Sequence, residues 1–167
     1  MLMLLRPRCR GQHGMLRRGV LSQGGLLLVG FCVLAVAVPA ENLTGTWMGL
    51  IPSQRRDIEL KIVQNGAALS GKLYREGASS PIIEGKVDER GEVEFVVETR
   101  EQAGNQVNIV VYRFEGVVCE GGIDLTRELT AARDAVSGAA VPVRRWNDTP
   151  EQDRRRRFQS FTLERLF

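Results

Sequence analysis

The chain has 167 residues, 23 basic and 20 acidic, with one histidine, three cysteines and two tryptophans; that length holds one domain with its own core. Five of the basic residues, Arg6, Arg8, Arg10, Arg17 and Arg18, precede residue 41 with no acid among them, so without that segment 18 basic residues face 20 acidic ones. The basicity that would point to nucleic acid as a partner then disappears.

Residues 1 to 40 have the layout of a secretory signal peptide. Arg17-Arg18 precede an uncharged apolar run from Gly25 to Val38, and small residues follow at Ala35-Val36-Ala37 and Val38-Pro39-Ala40. The run is shorter than the roughly 20 residues that span a bilayer, so cleavage near Ala40 is expected rather than a permanent anchor. The product is then secreted or periplasmic, with no membrane span. The twin arginine resembles the signal for export of folded proteins, yet Leu16 stands where that signal favours Ser or Thr. The general export route is therefore the first expectation. Cys32 follows Phe31, too large for the residue before a lipidated cysteine, and Met15 is an alternative start.

Loss of the leader removes chemistry. His13 is the only histidine, so a chain beginning near Glu41 can build neither a Ser-His or Cys-His pair nor a histidine metal site. Cys9 and Cys32 leave as well. Cys119 is then the one cysteine of the expected product, and in an oxidising compartment it could join two chains by an intermolecular disulfide. No catalytic residue, metal or cofactor is expected.

From Leu43 onward, short segments alternate apolar and polar residues. Leu43 to Ile51 is the first strand. Asp57 to Ile62 alternates strictly, with Ile58, Leu60 and Ile62 on one face. Asn65-Gly66 then supplies the step that two positive φ angles in a tight hairpin demand, and the chain returns through Leu69, Gly71 and Leu73. Ile82 to Val87 turns at Asp88-Glu89-Arg90-Gly91 into Glu92 to Glu98, with Val93, Phe95 and Val97 inward. A third hairpin pairs Val107 to Phe114 with Ile123 to Thr126 around Cys119 to Gly122. Both faces of Asn108 to Phe114 are partly apolar, so its inward set is open, with a bulge expected near Val110.

The predicted fold class is all-β: an antiparallel up-and-down barrel of about eight strands, since closure removes exposed edges. Residues 43–126 and 159–166 supply the strands, with Phe161 to Leu166 closing against the first. Residues 127–158 form an excursion. Within it Glu128 to Val136 reads as a short helix, and Thr149-Pro150-Glu151-Gln152 starts a second that runs to Arg157.

Gly45-Thr46-Trp47 resembles the Gly-x-Trp signature in the first strand of lipocalins and their calycin-like relatives. The hairpin series to Thr126, with the closing segment, looks like small exported bacterial lipocalin-like domains of unknown function. That resemblance implies an apolar site at an open end and a Trp packing the closed end. This chain lacks the long first loop and the disulfide that many lipocalins carry. Leu43 to Trp47 is also similar to the first strand of avidins, which place an Asn two residues after this Trp and wall the site with further Trp. Here Gly49 stands at that place and the only other Trp is Trp146, so a biotin site does not follow.

Trp47, Phe95 and Tyr112 are the candidate ligand-binding residues, against the plainer reading that all three fill the core, because an eight-stranded barrel barely holds a ligand once its side chains pack. Glu92, Glu94 and Glu98 could suggest paired carboxylates. Their alternation sends them outward, where a raised acid pKa is hard to maintain. Arg154-Arg155-Arg156-Arg157 is a solvated helix end or a contact for an anionic partner. The expected function is an exported, non-enzymatic binding module for a small apolar molecule or an envelope component. The alternatives are a carboxylate-only secreted hydrolase and a structural or inhibitory partner protein whose loops make the contacts.

Overall fold

Period-two alternation is realised along eight strands of the computed structural model, which describes residues 42–51, 55–75, 77–143 and 147–166. The strands are β1 (Gly45–Ile51), β2 (Arg56–Asn65), β3 (Ala68–Arg75), β4 (Ala78–Val87), β5 (Glu92–Ala103), β6 (Gln106–Cys119), β7 (Gly122–Asp134) and β8 (Phe158–Arg165); one helix, α1 (Pro150–Arg157), precedes β8. Each strand pairs antiparallel with the next, and β8 pairs back with β1, so the sheet closes as an up-and-down barrel. The leader read over residues 1 to 40 and Trp146 lie outside the described residues.

Inward positions are apolar strand after strand: Trp47 and Ile51 on β1, Ile58, Leu60 and Ile62 on β2, Val93, Phe95 and Val97 on β5, Phe161 and Leu163 on β8. Fully burying one such side chain is worth about 1.5–3 kcal/mol. Exposed ion pairs such as Lys86 with Glu94 at 2.8 Å are screened by solvent and add little. The core therefore holds the barrel.

The meander gives the barrel two unlike ends. At one lie Trp47 and the β2–β3, β4–β5 and β6–β7 turns. At the other lie the β1–β2, β3–β4 and β5–β6 turns and the longer β7–β8 connection carrying α1. Glycine with positive φ serves the first of these turns: Gly66, at +61°, is followed by Ala67, and Asn65 pairs with Ala68. The two-residue loop is thus Gly66-Ala67, with positive φ at its first position only. Asn65 is the last strand residue and not a turn centre as its sequence suggests, because glycine at the first central position already matches the strand twist.

Two further expectations are corrected. Residues 128 to 134 are strand, not helix: β7 runs to Asp134, which pairs with Asn108. The apolar run Ile109-Val110-Val111 on β6 offers a hydrogen-bonded partner along its whole length, and that ladder overrides the helix propensity of Glu128, Leu129, Ala131 and Ala132. The inward set of β6 is Asn108, Val110, Tyr112 and Phe114, unbroken. The irregularity falls on the partner strand, where Val111 opposes Ala131 and Tyr112 opposes Leu129, leaving Thr130 as the extra residue.

Candidate functional site

The Trp47 end is plugged. Trp47 is 1 % exposed, its Nε1 donates to the Leu43 carbonyl at 2.9 Å, and the Arg165 guanidinium lies over the ring 4.9 Å from its centre. Arg165 also donates to the carbonyl oxygens of Asn42 and Thr44, while the Leu43 amide donates to Gln64 Oε1 at 2.8 Å. The segment before β1 is folded across the opening and held there.

Aromatic rings fill the middle. Phe95 and Phe114 stack at 4.7 Å, and Phe114 meets Tyr112 and Phe161 edge-on, each at 6.5 Å. Of the three candidate ligand-binding residues, Phe95 and Tyr112 thus come together in one cluster. Trp47 sits apart from them at the plugged end.

Above the rings the inward face turns polar. Alternation places Arg75 in phase with Leu73 on β3, Glu101 with Phe95 and Val97 on β5, Tyr112 with Phe114 on β6, Arg127 with Leu125 on β7 and Gln159 with Phe161 on β8. The Arg75 guanidinium meets Glu101 at 2.5 Å, and the Tyr112 hydroxyl donates to the same Glu101 oxygen at 2.8 Å. Arg127 lies with its guanidinium carbon 4.3 Å from the centre of the Tyr112 ring and donates to Gln159 Oε1. Arg75 therefore holds the carboxylate directly, and Arg127 feels it through charge without a contact. Arg127 is 3 % exposed, and its Nε has no hydrogen-bond partner.

Burial pushes the Tyr112 phenol up to about 12, with the Glu101 charge adding to the shift. Burial also holds Arg127 below its ordinary value. Arg75 goes the other way: burial lowers it, but the hydrogen bond and charge of Glu101 outweigh that and hold it above the usual arginine value. The cluster thus keeps a neutral phenol beside charged partners.

The other sequence candidates lie elsewhere. Glu94 and Glu98 face outward, paired with Lys86 at 2.8 Å and Arg133 at 3.0 Å. In the arginine run, Arg155 pairs with Glu151, Arg156 with Asp148 and Asp153, and Arg157 with Glu128. Arg154 is exposed. Cys119 ends β6 half-buried at the Trp47 end, its sulfur 3.8 Å from Asp124 Oδ2. Among the described residues, no cluster of three or more His, Cys, Asp or Glu side chains is placed to hold a metal ion, and no helix is long and apolar enough to cross a membrane.

Arg75, Glu101, Arg127 and Gln159 were not among the residues singled out from the sequence. The signal that finds them is a polar side chain standing in the inward phase of a strand. No protein-family model matches the chain, and neither a curated protein nor a solved structure matches it.

Proposed function

We propose that this chain is an exported, non-enzymatic binding module of lipocalin-like build, released after cleavage near Ala40, with its site at the barrel end opposite Trp47. The observation that carries this reading is the inequality of the two ends. One is plugged by Leu43, Trp47 and Arg165. The other gathers convergent polar side chains from five strands over an aromatic floor, the pairing of apolar wall and few polar groups typical of small-molecule sites. Among the described residues four apolar side chains that are only partly buried pack against the core, Val118 toward the plugged end and Ile82, Leu129 and Ala132 away from it. Ile82 opposes Val97, Leu129 opposes Tyr112 and Ala132 opposes Val110, which places all three on the far-end half of the barrel. A hydrolase reading has less support, since the inward carboxylate of Glu101 is already committed to Arg75 and Tyr112.

Native mass spectrometry of protein purified from its own host tests the reading. A small molecule retained one per barrel and released on denaturation is the expected result. A bare chain mass from protein that binds no added small molecule would defeat it. N-terminal sequencing of the exported form tests the leader; a product that begins with Met1 or Met15 would remove it.

A further inference from the structure

β4 and β5 share four rungs, Ile82–Val97, Ile83–Val96, Lys86–Glu94 and Val87–Val93. Toward the far end the pairing stops: among the described residues, Ala78 to Pro81 of β4 pair with β3 alone, and Glu98 to Ala103 of β5 pair with β6 alone. The residue next to the last rung is Pro81, which has no N–H to give and suits a strand edge. Two residues of β4, Glu84 and Gly85, oppose the single Phe95, and Glu84 has a φ of +53°. Such a bulge bends the strand that carries it, turning the first half of β4 out of line with β5. The barrel wall is therefore split on this side, from Ile82 to the far end.

Side chains close the split. Ser80, in the inward phase of β4, is 7 % exposed although no β5 residue pairs with it. Arg75 reaches from β3 to Glu101 on β5 at 2.5 Å, and the Tyr112 hydroxyl fixes Glu101 to the β5–β6 wall at 2.8 Å. Arg75 thus belongs to the hairpin on one side, and Glu101 with Tyr112 to the wall on the other.

We propose that the split is a side gate: the hairpin of β3 and β4 swings away from β5, with the bulge at Glu84 as its pivot and the Arg75–Glu101 ion pair as its latch. The pairs Leu73–Ser80 and Arg75–Ala78 travel together. Opening breaks the latch and the two rungs beyond the bulge, and leaves β3–β4 and β5–β6 paired. It exposes little surface and needs no ligand, so it stands apart from the binding reading, which native mass spectrometry decides.

Native-state hydrogen exchange on the unaltered full chain tests the gate. The amides protected by the Ile82–Val97 and Ile83–Val96 rungs are expected to exchange through an opening that changes little in low urea, because the slope in urea follows the surface exposed. Those protected by the β5–β6 rungs should show the steep dependence of whole unfolding. Equal slopes for the two sets overturn the gate. A thiol gives a second readout: in Ser80→Cys, alkylation by iodoacetamide in excess of that in the unaltered chain should share the shallow slope. Labelling only as fast as whole unfolding allows would count against the gate. Arg75→Met, which removes the latch, should raise both the labelling and the exchange at the two rungs by about tenfold, the worth of one charged hydrogen bond. Unchanged rates would show that the opening leaves the ion pair intact, and the latch falls. If Arg75→Met does not fold, the urea slopes of the unaltered chain decide.

Discussion

Trp47 and Tyr112 are both aromatic, both inward and both buried, yet their polar atoms do different work. The Trp47 N–H is spent on the Leu43 carbonyl and its ring lies under Arg165, so the residue fastens an end of the barrel. Trp47→Ala is expected to cost about 3–5 kcal/mol, read as a lower urea midpoint. A loss below about 1 kcal/mol would show that the ring is not part of the packed core. Tyr112 carries its hydroxyl into the polar cluster, and burial holds its pKa at about 12 against a model-peptide value of 10.0. Its folded pKa lies above the unfolded one, so its stabilising contribution is whole below pH 10 and is lost as pH rises toward 12. An absorbance titration of phenolate should contain a late step that Tyr112→Phe removes. A titration unchanged by that substitution would contradict the burial. The apolar inward residues were legible from alternation alone. Arg127 was not, because a charged residue after Leu125 and Thr126 reads as the end of a strand when nothing in one chain shows that β6 continues beside it.

Local chemistry decides some elements and long-range pairing others. The start of α1 could be read from four residues, because Thr149 and Gln152 satisfy each other's backbone amides at 3.3 and 2.9 Å, and Pro150 needs no donor there. Glu128 to Asp134 has good helix formers and no such cap, and its state is set by β6, about twenty residues away in sequence. The turn that follows β7 is fastened by one carboxylate. Asp134 accepts from the amides of Val136 and Ser137, from the Ser137 hydroxyl and from Gln106. Those bonds, the Ser137 backbone bond first, hold its pKa at about 2 against an ordinary 3.8. With the folded value depressed, the turn's added stability is present above pH 3.8 and fades as pH falls toward 2. Lower protection of the Val136 and Ser137 amides, relative to their intrinsic exchange rates at each pH, is the expected result over that window, and Asp134→Asn should lower it at neutral pH. Exchange at these amides that ignores both changes would show the turn to be held by something else.

Closure of the molecule depends on its shortest seam. β1 and β8 are joined by three rungs, Trp47 opposite Arg165, Met48 opposite Glu164 and Gly49 opposite Leu163, whereas β5 and β6 share twelve. Hydrogen exchange should therefore find the amides of the β1–β8 seam opening at lower free energy than those of β5 and β6. Equal protection across both ladders would mean that the barrel opens only as a whole. The need for a closing strand was visible in Phe161 to Leu166, but the register was not, since pairing across the whole length of a sheet leaves no local mark. The seam also fixes a direction. The last residue of β8, Arg165, lies opposite Trp47 near the start of β1, with the Leu166 amide donating to the Thr46 carbonyl at 2.9 Å, and both strand ends belong to the plugged end. A copy tethered to a surface through the end of β8 would stand with its Arg75–Glu101 end turned away from that surface, while the tether pulled on the three rungs that join β8 to β1.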